Sequence, residues 1–192
     1  PKNIESIGVI GTGVQARMQV SHLSGVTDCK NIKVWGRSDK STEKYIHDMS
    51  KEGWNVNQVN STCDIAESCD LIITATPSKK PLLKKERLKR GTHITALGSD
   101  SPGKQELDHG IFKKADLIIA DSKLQCLERG AIHHAIKHGI IEEDDIQELG
   151  SLINTKKSIE RDEDQVTIAD LTGVAVQDIQ IAKAVYEACE RK

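Results

Sequence analysis

Short runs of β-branched and other apolar residues alternate with segments of helical periodicity along this 192-residue chain. The predicted strands occupy residues 6–10, 31–35, 55–59, 71–74, 93–97, 117–120 and 166–169, and the predicted helices occupy residues 14–23, 41–50, 61–69, 122–138 and 176–188. Apolar strands separated by helices are typical of a parallel sheet that is covered on both faces. The pattern therefore predicts an α/β chain with a Rossmann-type, doubly wound and mostly parallel sheet.

Length and charge narrow the classes of function. The chain is long enough for one domain with a substantial core and too short for two full domains. Its formal net charge is −2, and its Lys and Arg residues are spread out, which disfavours nucleic acid or a membrane surface as a partner. The sequence shows no apolar run of about 20 residues and no signal-peptide pattern at its start. We therefore expect a cytoplasmic protein whose partner is a small molecule.

Cysteine and histidine spacing gives no sign of a metal site. The five cysteines form no CxxC pair and are predicted to be reduced. His134 and His138 would share a helix face, but no acidic or cysteine ligand stands at a matching offset, so no metal is predicted. Among the polar segments, residues 142–145 are predicted to begin a helix, residues 84–90 to form a short basic helix, and residues 155–165 to form an exposed loop.

The most informative motif is GTGVQAR, which follows the first predicted strand and opens the first predicted helix. Gly11 ends the strand, Gly13 allows backbone to approach a pyrophosphate, and Ala16 takes the third small position of a GxGxxA fingerprint. The helix that follows would direct its free N–H groups at the phosphates. The motif predicts a dinucleotide site, and the alternative is a plain tight turn.

The end of the second predicted strand, VWGRSDKS, bears on the choice of dinucleotide. An acidic residue at this place normally binds the adenosine ribose of NAD. Here Gly36, Arg37 and Ser38 occupy it, and Arg37 and Ser38 are suited to a 2′-phosphate. NADP is therefore favoured as the cofactor. NAD stays possible, because a shift of two positions would bring Asp39 to the ribose, and Arg37 could also be a simple surface charge.

Three further segments, TATPS, ALGSDSPGKQELD and DLTGVAVQD, follow GTGVQAR in order along the chain. Together the four motifs resemble the ornithine cyclodeaminase and mu-crystallin family over nearly the whole chain. In that family a substrate-binding and dimerisation domain precedes the cofactor domain. The resemblance implies that residues 1–192 are a dinucleotide-binding domain excised from a two-domain protein, and that the full-length protein is a homodimer.

The resemblance also assigns roles to individual residues. Beside Gly11 and Gly13 of the motif, it places Thr12, Val14 and Gln15 at the pyrophosphate, and it places Gly36, Arg37 and Ser38 at the 2′-phosphate. It implies further cofactor contacts from residues that follow later strands, namely Thr74, Thr76, Leu97, Gly98, Ser99, Lys104 and Thr172. It makes Asp100 the catalytic aspartate.

A carboxylate at Asp100 also suits the implied chemistry. Oxidation of an amine beside a carboxylate creates an imine, and protons must then move on nitrogen and water near the hydride path. Asp100 could otherwise be a turn residue in the sequence GSDSPG. The expected activity is NAD(P)-dependent hydride transfer to or from the α-carbon of an amino or imino acid. Dehydrogenation to a keto acid, reduction of a cyclic imine and cyclodeamination of ornithine or lysine all stay open. The alternative is a protein of mu-crystallin type that binds NADPH and a small ligand without turnover.

Overall fold

The computed structural model describes residues 1–155 and 160–190. The strands in these residues are β1 (Ile7–Ile10), β2 (Asn31–Trp35), β3 (Asn55–Gln58), β4 (Leu71–Thr74), β5 (His93–Ala96), β6 (Ala115–Ala120), β7 (Ile146–Glu148) and β8 (Val166–Asp170). They form one sheet in the order β3-β2-β1-β4-β5-β8-β6-β7. Every strand pair in this sheet is parallel. The predicted Rossmann-type fold is therefore confirmed.

Helices cover both faces of the sheet. In the described residues they are α1 (Val14–His22), α2 (Asp39–Lys51), α3 (Thr62–Ser68), α4 (Lys123–Glu128), α5 (Gly130–Lys137), α6 (Leu149–Asn154) and α7 (Ala175–Glu190). One apolar cluster joins α1 and α2 to the sheet through buried residues such as Val9, Val20 and Met49. A second cluster joins α3, α4 and α5 to the opposite face. Each strand contributes at least one buried apolar residue to these clusters, and the central strands β1 and β4 are buried along their whole length.

The strand order reverses beside β1. From β1 the chain continues outward to β2 and β3 on one side, and it then returns to place β4 and β5 on the other side. The strands end level with one another, because Ile10 pairs with both Trp35 and Thr74, and Thr74 pairs with Ala96. In open parallel sheets a crevice forms at the carboxyl ends of the strands on the two sides of such a reversal. The topology therefore fixes where a ligand cleft can form.

The predicted helix over residues 122–138 is wrong in one respect, because the chain breaks it into α4 and α5 at Arg129 and Gly130. Gly130 has φ +90°, a left-handed conformation that side chains other than glycine rarely adopt. The break lets α5 begin against the buried carboxylate of Asp170, whose Oδ2 accepts the Ile132 N–H at 2.8 Å. A Cβ at position 130 would lie 2.6 Å from this same oxygen, so only glycine fits where α5 begins.

The acidic residues 142–145 do not begin a helix, contrary to prediction. Glu143–Asp145 is a single 3₁₀ turn in which Glu142 and Asp145 cap each other's backbone, and the edge strand β7 follows at once. Strand β7 was not predicted because its three residues are too short to show a periodicity. The predicted basic helix at residues 84–90 is reduced to the 3₁₀ turn Lys85–Arg87.

Two predicted features lie towards the carboxyl terminus. Of the predicted loop over residues 155–165, residues 156–159 lie outside the described residues, and the described part is mostly exposed. Helix α7 has no buried residue, and its apolar side chains, including Ile179 and Tyr186, are exposed. None of the described helices combines the length and apolar character that crossing a membrane requires.

Candidate functional site

The main cleft lies at the carboxyl ends of β1, β2 and β4, where the strand order reverses. It has a volume of about 420 Å³. Its walls come from three loops, and the lining residues are Gly11, Thr12, Gly13, Trp35, Gly36, Arg37, Ser38, Ser41, Ala75, Thr76, Pro77, Ser78 and Leu82. The motifs GTGVQAR, VWGRS and TATPS are separated in sequence, and the fold brings them together in one cleft.

The glycine turn has the geometry that a phosphate cradle requires. Gly11 has φ +117°, and a Cβ at this position would lie 2.5 Å from the Ala75 carbonyl oxygen. At Gly13 a Cβ would meet no atom within 4 Å, so this side of the turn faces open space. Helix α1 begins at Val14, and its first N–H groups have no partner within the helix. The turn therefore leaves room and donors for an anionic group.

Arg17, the last residue of GTGVQAR, is hydrogen-bonded to the backbone of this turn. Its Nη1 donates to the carbonyl oxygen of Thr12 and, at 3.1 Å, to that of Gly13. The rest of the guanidinium donates to Asp48 at 3.2–3.3 Å and lies 5.1 Å from the centre of the Tyr45 ring. Because Arg17 binds the carbonyl groups, it fixes the peptide planes of the turn. Sequence analysis gave Arg17 no role.

The loop after β2 is tied to the glycine turn by hydroxyl groups. Thr12 Oγ1 donates to Ser41 Oγ at 3.1 Å, and Ser41 Oγ donates to the Ser38 carbonyl at 2.8 Å. Gly36, Arg37 and Ser38 line the cleft. Asp39 is the first residue of α2, and its Oδ1 accepts a hydrogen bond from Gln58 Nε2 at 3.1 Å. The charged group that this loop presents to the cleft is therefore Arg37.

The loops after β4 and β5 meet on a buried carboxylate that sequence analysis missed. Glu106 is 0% exposed. Its Oε1 accepts the Thr76 N–H at 2.6 Å and the Thr76 hydroxyl at 2.8 Å, and its Oε2 accepts the Gly98 N–H at 2.7 Å and the Thr74 hydroxyl at 2.9 Å. Thr74 is thus fully buried, behind the cleft wall that Thr76 helps to form. The only sequence signal for Glu106 was its place in the motif GSDSPGKQELD.

Asp100 and Lys104, both predicted site residues, form an ion pair beyond the end of β5. Lys104 Nζ donates to Asp100 Oδ1 at 2.6 Å, and the Asp100 side chain is 58% exposed. The hydrogen bond from Lys104 holds the pKa of Asp100 below its usual range, so this carboxyl group is ionised at neutral pH. Arg129 Nη1 donates to the Asp100 carbonyl at 3.4 Å. Asp100 is therefore an accessible carboxylate beside two cationic side chains.

The loop after β8 is held by Asp121, the residue that follows strand β6. Asp121 Oδ2 accepts the Gly173 N–H at 2.7 Å, and its Oδ1 accepts the Thr172 hydroxyl at 3.3 Å. Burial raises the pKa of the neighbouring Asp170 to about 7. Thr172, a predicted site residue, is buried and engaged with the protein.

The remaining predicted residues lie around the same edge of the sheet. Val14 and Gln15 are exposed in the first turn of α1. Leu97 and Gly98 follow β5 and are half-buried, and Ser99 is buried with no partner for its hydroxyl in the described part of the chain. Across residues 1–155 and 160–190, no group of three or more His, Cys, Asp or Glu side chains is arranged to hold a metal ion.

The fold and the cleft at its switch point define a Rossmann-type domain, and comparison with known proteins places it in a family. The sequence model of the ornithine cyclodeaminase/mu-crystallin family matches residues 1–192, and the chain belongs to that family. The resemblance found in the motifs is thereby confirmed.

Solved structures of related proteins superpose closely on this chain. An archaeal alanine dehydrogenase dimer with bound NAD is 37% identical, has a TM-score of 0.89, and aligns over 97% of this chain and 58% of its own. The iminosuccinate reductase of Paracoccus denitrificans in complex with NAD+ is 33% identical, with a TM-score of 0.89 over 100% of this chain and 58% of its own. The Δ1-pyrroline-2-carboxylate reductase of Thermococcus litoralis in complex with NADH and L-proline is 30% identical, with a TM-score of 0.90 over 100% of this chain and 60% of its own.

The match covers only part of each relative. The chain spans 54% to 59% of the length of the first curated relatives that it matches.

Proposed function

We propose that this chain is the dinucleotide-binding domain of an NAD(P)-dependent oxidoreductase that acts on amino or imino acids. The observation that carries the proposal is the cleft at the point where the strand order reverses. The glycine turn and Arg37 line this cleft, and Asp100 lies in the loop after the neighbouring strand β5. Relatives with a TM-score near 0.9 hold NAD, NAD+ or NADH. Their names describe an alanine dehydrogenase and two imine-acting reductases, which supports the same class of activity here.

The geometry of the turn fits a pyrophosphate. The open space at Gly13 would receive the phosphates, and the free N–H groups at the start of α1 would donate to them. Thr12, Val14 and Gln15 lie on this turn, and Arg17 binds the carbonyl oxygens of Thr12 and Gly13. The adenosine half would then extend over the end of β2, and the nicotinamide half towards β4 and β5.

We infer a preference for NADP, with NAD as a second cofactor. Arg37 and Ser38 are the cleft residues at the end of β2 that suit a 2′-phosphate. Asp39, the residue that would favour NAD, is hydrogen-bonded to Gln58 instead. The relatives with bound NAD show that the family fold also accepts a dinucleotide without that phosphate.

The nicotinamide, when bound, would accept or supply a hydride at the α-carbon of the substrate. Asp100 would face the positive charge that develops on the substrate nitrogen as the carbon is oxidised, and would exchange the proton of that nitrogen. The hydrogen bond from Lys104 favours the ionised form of Asp100. The loops that carry Thr76, Gly98, Ser99 and Thr172 would form the wall beneath the ring.

We propose that the full-length protein carries a further domain that binds the substrate carboxylate and completes a homodimer. The partial coverage of the relatives and the dimer of the archaeal alanine dehydrogenase support this. The five cysteines, all unpaired in the described residues, suit the reducing conditions of a cytoplasmic location.

The experiment is a spectrophotometric assay of the full-length protein at 340 nm, with NADP+ or NAD+ and a panel of amino acids, and with NADPH or NADH and cyclic and acyclic imino acids. We expect turnover with at least one substrate, and a loss of kcat of about a hundredfold or more in Asp100→Asn. Asp144→Asn, which alters an exposed carboxylate beside β7, is the control and should retain activity. No turnover with any substrate would contradict the proposal, and full activity in Asp100→Asn would contradict the role of Asp100.

A further inference from the structure

Glu106 is a buried charge with an unusual set of partners. Its two oxygens accept four hydrogen bonds, two from backbone N–H groups and two from threonine hydroxyls. An ionised carboxylate can accept from all four donors, whereas a protonated one would place a hydrogen against one of them. Burial raises the pKa of Glu106 above its ordinary value, and the four donors oppose that effect. The arrangement therefore suits a carboxylate that stays ionised near neutral pH.

The charge of Glu106 is not neutralised by a cation. Among residues 1–155 and 160–190, no Lys, Arg or His forms an ion pair with it. The nearest basic residue in sequence, Lys104, is engaged with Asp100 instead. The N–H and O–H dipoles stabilise the negative charge of Glu106 but do not cancel it. Because Glu106 is buried, water screens its electric field less than that of a surface carboxylate.

The field acts on the ends of β4 and β5. Glu106 binds the backbone of Thr76, which lines the cleft, and the backbone of Gly98, which follows β5. With the pyrophosphate at β1 and the adenosine at β2, the nicotinamide half of a dinucleotide must extend to this side of the cleft. An oxidised nicotinamide ring carries one positive charge, and the reduced ring carries none.

We propose that Glu106 is a positioning residue that also sets the preference between the two redox forms of the cofactor: it clamps the loops after β4 and β5 and favours the oxidised, cationic ring. The inference rests on the proposed function, since it requires a nicotinamide dinucleotide in this cleft. It assigns Glu106 a role in the direction of the reaction, because tighter binding of the oxidised form favours hydride transfer to the substrate.

The test compares the dissociation constants of NADP+ and NADPH for the full-length protein by isothermal titration calorimetry. In Glu106→Gln the ratio of the NADP+ constant to the NADPH constant should rise roughly five- to tenfold, the effect expected for opposite unit charges about 10 Å apart at an effective dielectric constant near 25. Glu106→Met, which removes the charge with an apolar side chain of similar length, should raise the ratio in the same direction. Glu106→Asp, which keeps the charge, should leave the ratio within about twofold of the parent value.

A matched control removes a structural carboxylate from the other end of the sheet. Asp70 accepts hydrogen bonds from the backbone of Glu5 and Ser6 and from Lys89, so it also joins separate segments. Asp70→Asn should lower stability without changing the ratio. An equal weakening of both redox forms in Glu106→Gln, or the same ratio change in Asp70→Asn, would overturn the proposal. Loss of folded protein in both charge-free variants would also contradict it, because the carboxylate would then be a requirement of the fold. Failure of the parent to bind either dinucleotide would instead refute the proposed function.

Discussion

Two glycines of the same turn should respond in opposite ways to substitution by alanine. At Gly13, φ is −80° and a Cβ would meet no protein atom within 4 Å. The variant Gly13→Ala should therefore fold without backbone strain or a steric clash at this position. Replacing the N-cap glycine destabilises the start of α1, whereas the lower conformational entropy of the unfolded chain stabilises the fold; each effect is at most about 1 kcal/mol, and the two have opposite signs. We expect the free energy of unfolding of Gly13→Ala to lie within about 1 kcal/mol of the parent value.

Binding should change much more than stability at Gly13. The added methyl group would occupy the space in which we place the pyrophosphate, so the dissociation constants of NADP+ and NADPH should both rise by at least about tenfold, or 1.4 kcal/mol. Calorimetric titration and urea unfolding of the same preparation measure the two quantities. If Gly13→Ala binds as tightly as the parent protein, the phosphates do not lie against this residue.

Gly11 provides the contrast within the turn. Its φ of +117° is unfavourable for alanine, and the Cβ would lie 2.5 Å from the carbonyl oxygen of Ala75, a backbone atom that a parallel strand end holds in place. Gly11→Ala should therefore lower the free energy of unfolding by about 3 kcal/mol or more. Parent-like stability in this variant would refute the geometry of the turn.

Three further outcomes follow from single side chains. Arg37→Ala should weaken NADPH binding by about 1–3 kcal/mol and NADH binding by less, and equal binding of the two reduced dinucleotides by the parent protein would refute the preference. Arg17→Met should weaken both dinucleotides together, because the turn loses the guanidinium that fixes its carbonyl groups; a change confined to NADPH would count against this. The fold raises the pKa of Asp170 to about 7, whereas in the unfolded chain this carboxyl group loses its proton near its ordinary pKa of 3.8. Between about pH 4 and 7 the folded state therefore binds more protons than the unfolded state, and the free energy of unfolding falls as the pH rises. Asp170→Asn should therefore be less sensitive to pH over that range in urea unfolding, and an unchanged pH slope would contradict the assignment.

The parallel sheet and most of its helices could be predicted from the sequence because most strands contain a short β-branched or apolar run and several helices are followed by a glycine. The separation of α4 from α5 could not, because the residues on both sides of Gly130 continue one helical pattern. The break depends on the long-range contact of α5 with Asp170. Strand β7 is similarly set by pairing with β6 rather than by its own three residues.

In the candidate site, too, the features set by local sequence could be predicted and those set by long-range contacts could not. The motifs predicted the glycine turn and the loop after β2, since the backbone freedom of Gly11 and the charge of Arg37 are local properties. Glu106 and Arg17 could not be predicted in this way, because each is hydrogen-bonded to a residue far away in sequence, Glu106 to Thr74 and Arg17 to Asp48. Thr74 is likewise engaged by Glu106, which residue spacing alone does not show.

The most direct test of the account is a crystal structure of the full-length protein with NADP+. We expect the pyrophosphate within hydrogen-bonding distance of the N–H groups at Thr12 to Gln15, the 2′-phosphate beside Arg37, and the nicotinamide at the ends of β4 and β5 near Asp100. A dinucleotide bound away from the switch point between β1 and β4, or bound there with its two halves exchanged, would contradict the account.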